Sequence, residues 1–220
     1  MRKKLLILFI VGCGFFLVFP PLPEKLSLIS VFRVTEEPVA IVRGTNGSAL
    51  TINISFGDDE VKEWIETLEK PYPLLLIDND WAERFPETIQ LIQKKKIPTG
   101  LLGHKGEAYE FDAKLLVNQA EKYEILFEEK PLWFRTIDEN FPHFLHKVLW
   151  EAEINALGST VTWSGGEIPP VTEGEIISVS HHRNDRIYLP ELKQLTESRD
   201  FKTLDEVLFG PVGKMKKIPN

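Results

Sequence analysis

Side chains able to do acid–base or metal chemistry fall in short polar stretches between apolar runs: Asp58-Asp59, His104, and His181-His182. Aspartate and histidine together can hold a divalent ion that activates water, or can pass a proton directly. Each also has a plainer use. A single histidine cannot hold zinc, so His104, in a Gly-flanked loop, is either one ligand of a set or a loop residue. Adjacent side chains on an extended segment point to opposite faces, so only one of His181 and His182 can face a pocket. Asp58 and Asp59 suit a helix start, where acidic groups bind free amides and offset the helix dipole. Asp78 and Asp80 read as capping or turning the chain before the next helix. Arg135 offers a forked donor for an anionic ligand or a carboxylate, with Asp138 and Asp58 as partners within the chain. Trp163 is either packing or a wall on which a sugar stacks.

These residues need elements to position them, and the stretch Ser48–Asp59 sets the plan. A strand rich in Ile, Thr and Phe, Ala49–Phe56, runs into Gly57 and an acidic helix start. In parallel α/β folds, functional groups sit where strand C-termini open into loops. A lead-in strand is predicted at Val39–Val42. Asp59–Glu69 is predicted helical, with Val61, Trp64, Ile65 and Leu68 on one face. Further strands are expected at Leu74–Ile77, Thr99–Leu102, Leu132–Phe134, Ser159–Trp163, Ile176–Val179 and Phe201–Thr203. Between them the spacing predicts helices from Phe85-Pro86 to Lys95, over Phe111–Phe127 and Phe141–Leu157, and at Leu189–Glu197 and Leu204–Phe209. Trp64 and Trp150 fall on apolar helix faces and read as core. Seven strands alternating with helices imply a parallel sheet with right-handed crossovers.

The 220 residues suit one domain with a substantial core, and 43% hydrophobic against 27% charged residues argues against disorder. Residues 34–220 hold 21 Lys/Arg and 32 acids, a net charge of −11 that argues against nucleic-acid binding. Met1-Arg2-Lys3-Lys4 followed by the uncharged Leu5–Phe19 has the layout of an export signal. Pro20-Pro21-Leu22-Pro23 ends it without a small-x-small cleavage site, so residues 1–23 are expected to remain as a signal anchor with the body outside the membrane. Ile10-Val11-Gly12-Cys13 also resembles a lipoprotein box with Cys13 as the lipid-bearing residue, and secretion after cleavage is a further alternative. Cys13 is the single cysteine, so the body has no disulfide. Residues 24–37 read as a spacer, 38–210 as the folded domain and 211–220 as a basic tail.

Several phrases together resemble the polysaccharide deacetylase family, whose fold is a distorted (β/α)7 barrel also called the NodB homology domain. Leu50-Thr51-Ile52-Asn53-Ile54-Ser55-Phe56-Gly57-Asp58 resembles the first motif of the branch found in spore-forming bacteria. Trp81–Glu87 is similar to the segment after strand two, and Trp133-Phe134-Arg135 to the Phe-Arg-Pro-Pro motif. The stretch from Leu157-Gly158 to Trp163-Ser164 resembles the one ending in the family's active-site Trp. Gly174–Ile177 and Phe201–Leu208 resemble the opening and closing of the last motif.

The resemblance implies hydrolysis of the acetamide of an N-acetylated sugar polymer. In the family a metal, usually zinc, is held by an Asp and two His, with an Asp as general base and a His near the last strand as acid. On that pattern Asn53 stands at the base position, Ile54 at a metal-binding Asp and Ile97 at the first metal His. His104 is the best match for the second metal His, and Asp58 the nearest spare carboxylate. Thr136-Ile137 replace two prolines, and Ser180 takes the last-strand His position with His181 beside it. Arg135 is the residue that orients the base, while Trp163 and Asp138 are the sugar-binding candidates.

The expectation is therefore an exported deacetylase-like protein that has lost catalysis and binds cell-wall glycan (peptidoglycan or chitin-like) or an envelope protein. It takes no cofactor and meets the membrane through its N-terminus. The alternatives are an active zinc-dependent deacetylase with ligands drawn from Asp58 or Asp59, His104 and His181, and an envelope interaction module without sugar affinity.

Overall fold

Thr51 and Asn53 occupy alternate positions in an otherwise mostly aliphatic strand, β2 (Ser48–Ile54), and all seven of its residues are buried. A strand covered on both faces belongs in the middle of a parallel sheet. In the computed structural model, which describes residues 34–210 except 113 and 188, β2 lies between β3 (Leu74–Ile77) and β8 (Glu175–His182). The path continues through β4 (Thr99–Gly103), β5 (Trp133–Thr136) and β6 (Asn155–Leu157) to β1 (Ala40–Ile41) on one side, and to β7 (Val161–Trp163) on the other. Neighbours along this path are parallel, and the sheet curls into a half-barrel. Two short strands lie off it: β9 (Asp185–Arg186) folds back antiparallel on β8, and β10 (Phe201–Lys202) pairs with the start of β2.

The crossovers are α1 (Asp59–Thr67), α2 (Asn79–Arg84), α3 (Pro86–Lys95), α4 (Ala108–Phe111), α5 (Leu115–Phe127), α6 (His143–Glu151), α7 (Leu189–Glu197) and α8 (Leu204–Phe209). Each begins for a local reason where a cap exists. Asp58 and Asp78 accept backbone amides at the starts of α1 and α2, and Thr203 with Glu206 forms a capping box on α8. Pro86 opens α3 at a position that needs no amide hydrogen. The core between sheet and helices includes Ile52, Ile54, Ile65, Leu75, Ile77, Trp81, Tyr123 and Phe134, each at most 1% exposed.

The parallel alternating plan expected from the sequence is present, with ten strands among the described residues, eight of them in the curled path, against the seven and a lead-in strand expected. The excess has local causes. The predicted helix Phe141–Leu157 stops at Glu151, because Glu153 turns left-handed (φ 63°) and the chain leaves as β6 (Asn155–Leu157). A glutamate in a conformation usually given to glycine hides that stop from the sequence. The predicted helix Phe111–Phe127 is two helices, with Asp112 accepting the amide of Lys114 between them. Strand β8 runs on to His182, which places both histidines on it. Trp64 packs against the core, whereas Trp150 is half-buried.

The chain divides after Val34 by its internal contacts. The expected signal anchor, Cys13, residues 24–33 of the spacer and the basic tail lie outside the described residues. Among those described, no helix is long and apolar enough to cross a membrane.

Candidate functional site

Alternation along β2 and β8 sends Thr51, Asn53 and Ser178 into the half-barrel, where they meet Arg135 from β5. The Arg135 Nη1 donates to Thr51 Oγ1 (2.8 Å), Asn53 Oδ1 (3.1 Å) and Ser178 Oγ (3.0 Å). Its Nε and Nη2 donate to the carbonyls of Leu157 and Gly158, both at 2.9 Å. Asn53 in turn donates to Ser178 Oγ at 3.2 Å. Arg135 is fully buried. Burial pulls its guanidinium down to about 10, against the pull of Glu139, so it stays charged at neutral pH. Glu139 Oε1 lies 3.7 Å from Arg135 Nε, and its other oxygen accepts from Ser159 Oγ. The carboxylate nearest Arg135 is thus Glu139, not Asp138 or Asp58 as the sequence suggested. Asp138 Oδ1 accepts the amides of Gly106 and Asn140, and Asp58 Oδ1 accepts that of Asp59.

A second cluster forms at the mouth, because β2, β3, β4 and β5 end side by side and hand over to Ser55, Asp78, His104 and Ile137. These line a cavity of about 410 Å³ together with Gly103, Lys105 and Glu107. Asp78 accepts the Trp81 amide at 2.9 Å. Burial raises its carboxyl above the usual aspartate value, opposed by the Trp81 amide and by the charge of His104. Ser55 Oγ lies 2.7 Å from His182 Nδ1. The His104 imidazole is exposed, while its backbone amide donates to Tyr109 Oη, which donates to Gln119 Oε1. Gly103 is required there, since a Cβ would collide with Tyr109 Oη and the Phe134 ring.

The structure corrects the role expected of His181. Its ring is 4% exposed and rests against Gly57, with Nε2 3.0 Å from the point where a Cβ on that glycine would sit. Burial first, and Arg186 second, hold its pKa below the ordinary histidine value, against the backbone of Ile187. It is His182 that bonds a cavity-lining group. Trp163 is likewise enclosed at 4% exposure, with Nε1 donating to the Glu167 carbonyl, so no open indole face remains for stacking. The sequence reading passed over Ser55 and treated Asp78 only as a cap. Their place directly after two buried strands was the available signal.

The residues present do not fit the metal that the resemblance implies. Asn53, at 1% exposure, is bonded to a buried cation, and Ile54 and Ile97 are packed in the core. His104 and Asp58 stand apart in the mouth cavity and at the start of α1. Among the described residues no three His, Cys, Asp or Glu side chains are grouped to hold an ion.

No protein-family model matches the sequence, and no curated protein matches it. Solved structures do. A CE4 family pseudoenzyme from Bacillus anthracis matches with a TM-score of 0.62 at 16% identity, over 79% of this chain and 70% of its own. A mutant of a CE4 family pseudoenzyme with restored enzymatic activity matches at the same score and identity, over 79% and 72%. The chitin deacetylase of Colletotrichum lindemuthianum matches at 0.64 and 12%, over 81% and 95%. The peptidoglycan deacetylase PdaC of Bacillus subtilis matches at 0.57 and 14%, over 74% and 90%. Four such matches at low identity establish architecture, and the chain has the fold of the CE4 family polysaccharide deacetylases.

Proposed function

We propose that this protein is an exported, envelope-associated glycan-binding protein that uses a deacetylase fold without metal-dependent deacetylation. One observation carries the reading: at the position the resemblance assigns to the general base, a neutral amide is sealed against a buried guanidinium. An amide cannot take a proton from water, and Asn53 Oδ1 already accepts from Arg135 Nη1 at 3.1 Å. Neighbours on this fold are named for peptidoglycan and chitin, and one is a pseudoenzyme, which supports glycan as the ligand class and loss of catalysis as a known outcome. Export rests on Arg2-Lys3-Lys4 and the apolar run after them.

The test uses the full-length protein, with metal content, acetate release from chitin oligomers and peptidoglycan, and sedimentation with peptidoglycan measured together. Sedimentation without acetate release is expected. Stoichiometric zinc with acetate release overturns the reading, and failure to sediment leaves an interaction module without sugar affinity.

A second reading, hydrolysis by rearranged groups, draws on Asp78, His104 and the Ser55–His182 pair around the mouth cavity. The restored activity of a mutant pseudoenzyme sharpens it. Asn53→Asp should not release acetate, because it restores a base position without a metal site. Measurable acetate from that single variant favours the second reading.

A further inference from the structure

We propose that the rim of the mouth beside β2 and β8 is an anion-binding subsite, which selects glycans carrying carboxylate or phosphate groups. This rests on the glycan-binding reading above and adds the chemistry of the ligand. Strand β8 turns back through Arg183 and Asn184 into β9, with His181 opposite Arg186. That turn brings two guanidinium groups to one ring: Arg186 lies 4.1 Å and Arg183 5.4 Å from the centre of Phe56. Phe56 is half-buried, directly after Ser55, and both arginines are exposed.

Stacking occupies the flat face of a guanidinium and leaves its in-plane N–H groups free, in the fork geometry that fits a carboxylate or phosphate. Among the described residues, no ion pair joins Arg183 or Arg186 to a carboxylate. Asp58, two residues after Phe56, directs Oδ1 to the Asp59 amide. Two like charges on one ring repel each other, and an oxyanion between them relieves that repulsion. The rest of the body is acidic, so a polyanionic polymer finds few other places to dock.

The experiment measures binding of full-length protein to chitotetraose, to its C6-oxidised carboxylate form and to its C6-phosphorylated form. The charged oligomers are expected to bind at least about tenfold more tightly than the neutral one at low salt, as charge-assisted hydrogen bonds allow. The advantage should shrink toward about 0.5 M NaCl. The paired variant Arg183→Gln/Arg186→Gln should lose it while keeping affinity for chitotetraose. A preference for one charged form identifies the anion. Equal affinity for all three oligomers overturns the subsite and leaves the glycan reading intact. Binding of none overturns both. Should the paired variant fail to fold, the single variants and the salt dependence of the unaltered protein decide, and an advantage insensitive to salt counts against the subsite.

Discussion

Arg135 and the pair Arg183 and Arg186 put the same side chain in opposite settings. Inside the half-barrel, Arg135 has no exposed surface and makes six hydrogen-bonding or ion-pair contacts to β2, β8, the end of β6 and Glu139. At the rim, two exposed arginines bring their guanidinium groups over Phe56. The interior group is bound up in holding strands together, whereas the rim pair is the subsite proposed above for an anion. At the position that the resemblance assigns to the general base, this chain has an amide held in a buried arginine network.

The sharpest way to break the comparison is to remove the interior charge. Arg135→Met should lower stability by about 3–5 kcal/mol, because it strips partners from several buried oxygens at once. The melting temperature should fall by about 10 °C. A loss as small as that of a surface substitution would show that Arg135 is no brace.

Glu175 offers a second interior test. It is fully buried and bonded to Ser48, Thr172 and Arg199. Burial alone raises its carboxyl, and the bonds from Ser48, Arg199 and Thr172 together outweigh that, so its folded pKa lies below the usual 4.5. The stability it contributes is therefore present above pH 4.5 and is lost as pH falls through the folded value. Glu175→Gln should cost about 2 kcal/mol at neutral pH and flatten the acid limb of a stability–pH curve. An unchanged limb assigns acid sensitivity to other carboxylates.

His181 predicts a milder limb in a different window. Its pKa is depressed below 6.5, so the unfolded chain binds the proton first and stability falls as pH drops below 6.5. His181→Gln should remove part of that slope, with His146, also lowered by burial, supplying the rest. The smallest effect belongs to the mouth. His104→Ala should change stability by less than about 0.5 kcal/mol, since the imidazole is exposed. Chelator should leave the melting temperature of parent and variant alike. A chelator-sensitive parent would return His104 to a metal site.

The strand-and-helix plan was legible wherever apolar runs end in Pro, Gly or an acidic cap, as at Asp58 and Pro86. It failed at Glu153, whose left-handed backbone (φ 63°) ends a helix without glycine. For the site, the sequence correctly marked Asn53 and Arg135 as neighbours through the resemblance, but not Glu139 as the nearby carboxylate. That contact depends on a turn at positive φ (52°), which composition does not reveal. Choosing between His181 and His182 required the register of β8 on β2, where one residue of slip exchanges the faces. The Phe56–arginine cluster joins residues 127 and 130 positions apart, and no local pattern announces it.

The strand path is open, with β1 at one end and β7 at the other. Its two ends are joined by a few isolated contacts, the Arg43–Glu175 bridge and the Thr160 hydroxyl on the Val42 carbonyl among them, which by themselves hold the curvature weakly. Arg135 acts as a strut across its hollow, tying β5 to β2 and β8 on one side and to the Leu157 and Gly158 carbonyls on the other. Without that strut the ribbon would flatten and spread the four strand ends that surround the mouth.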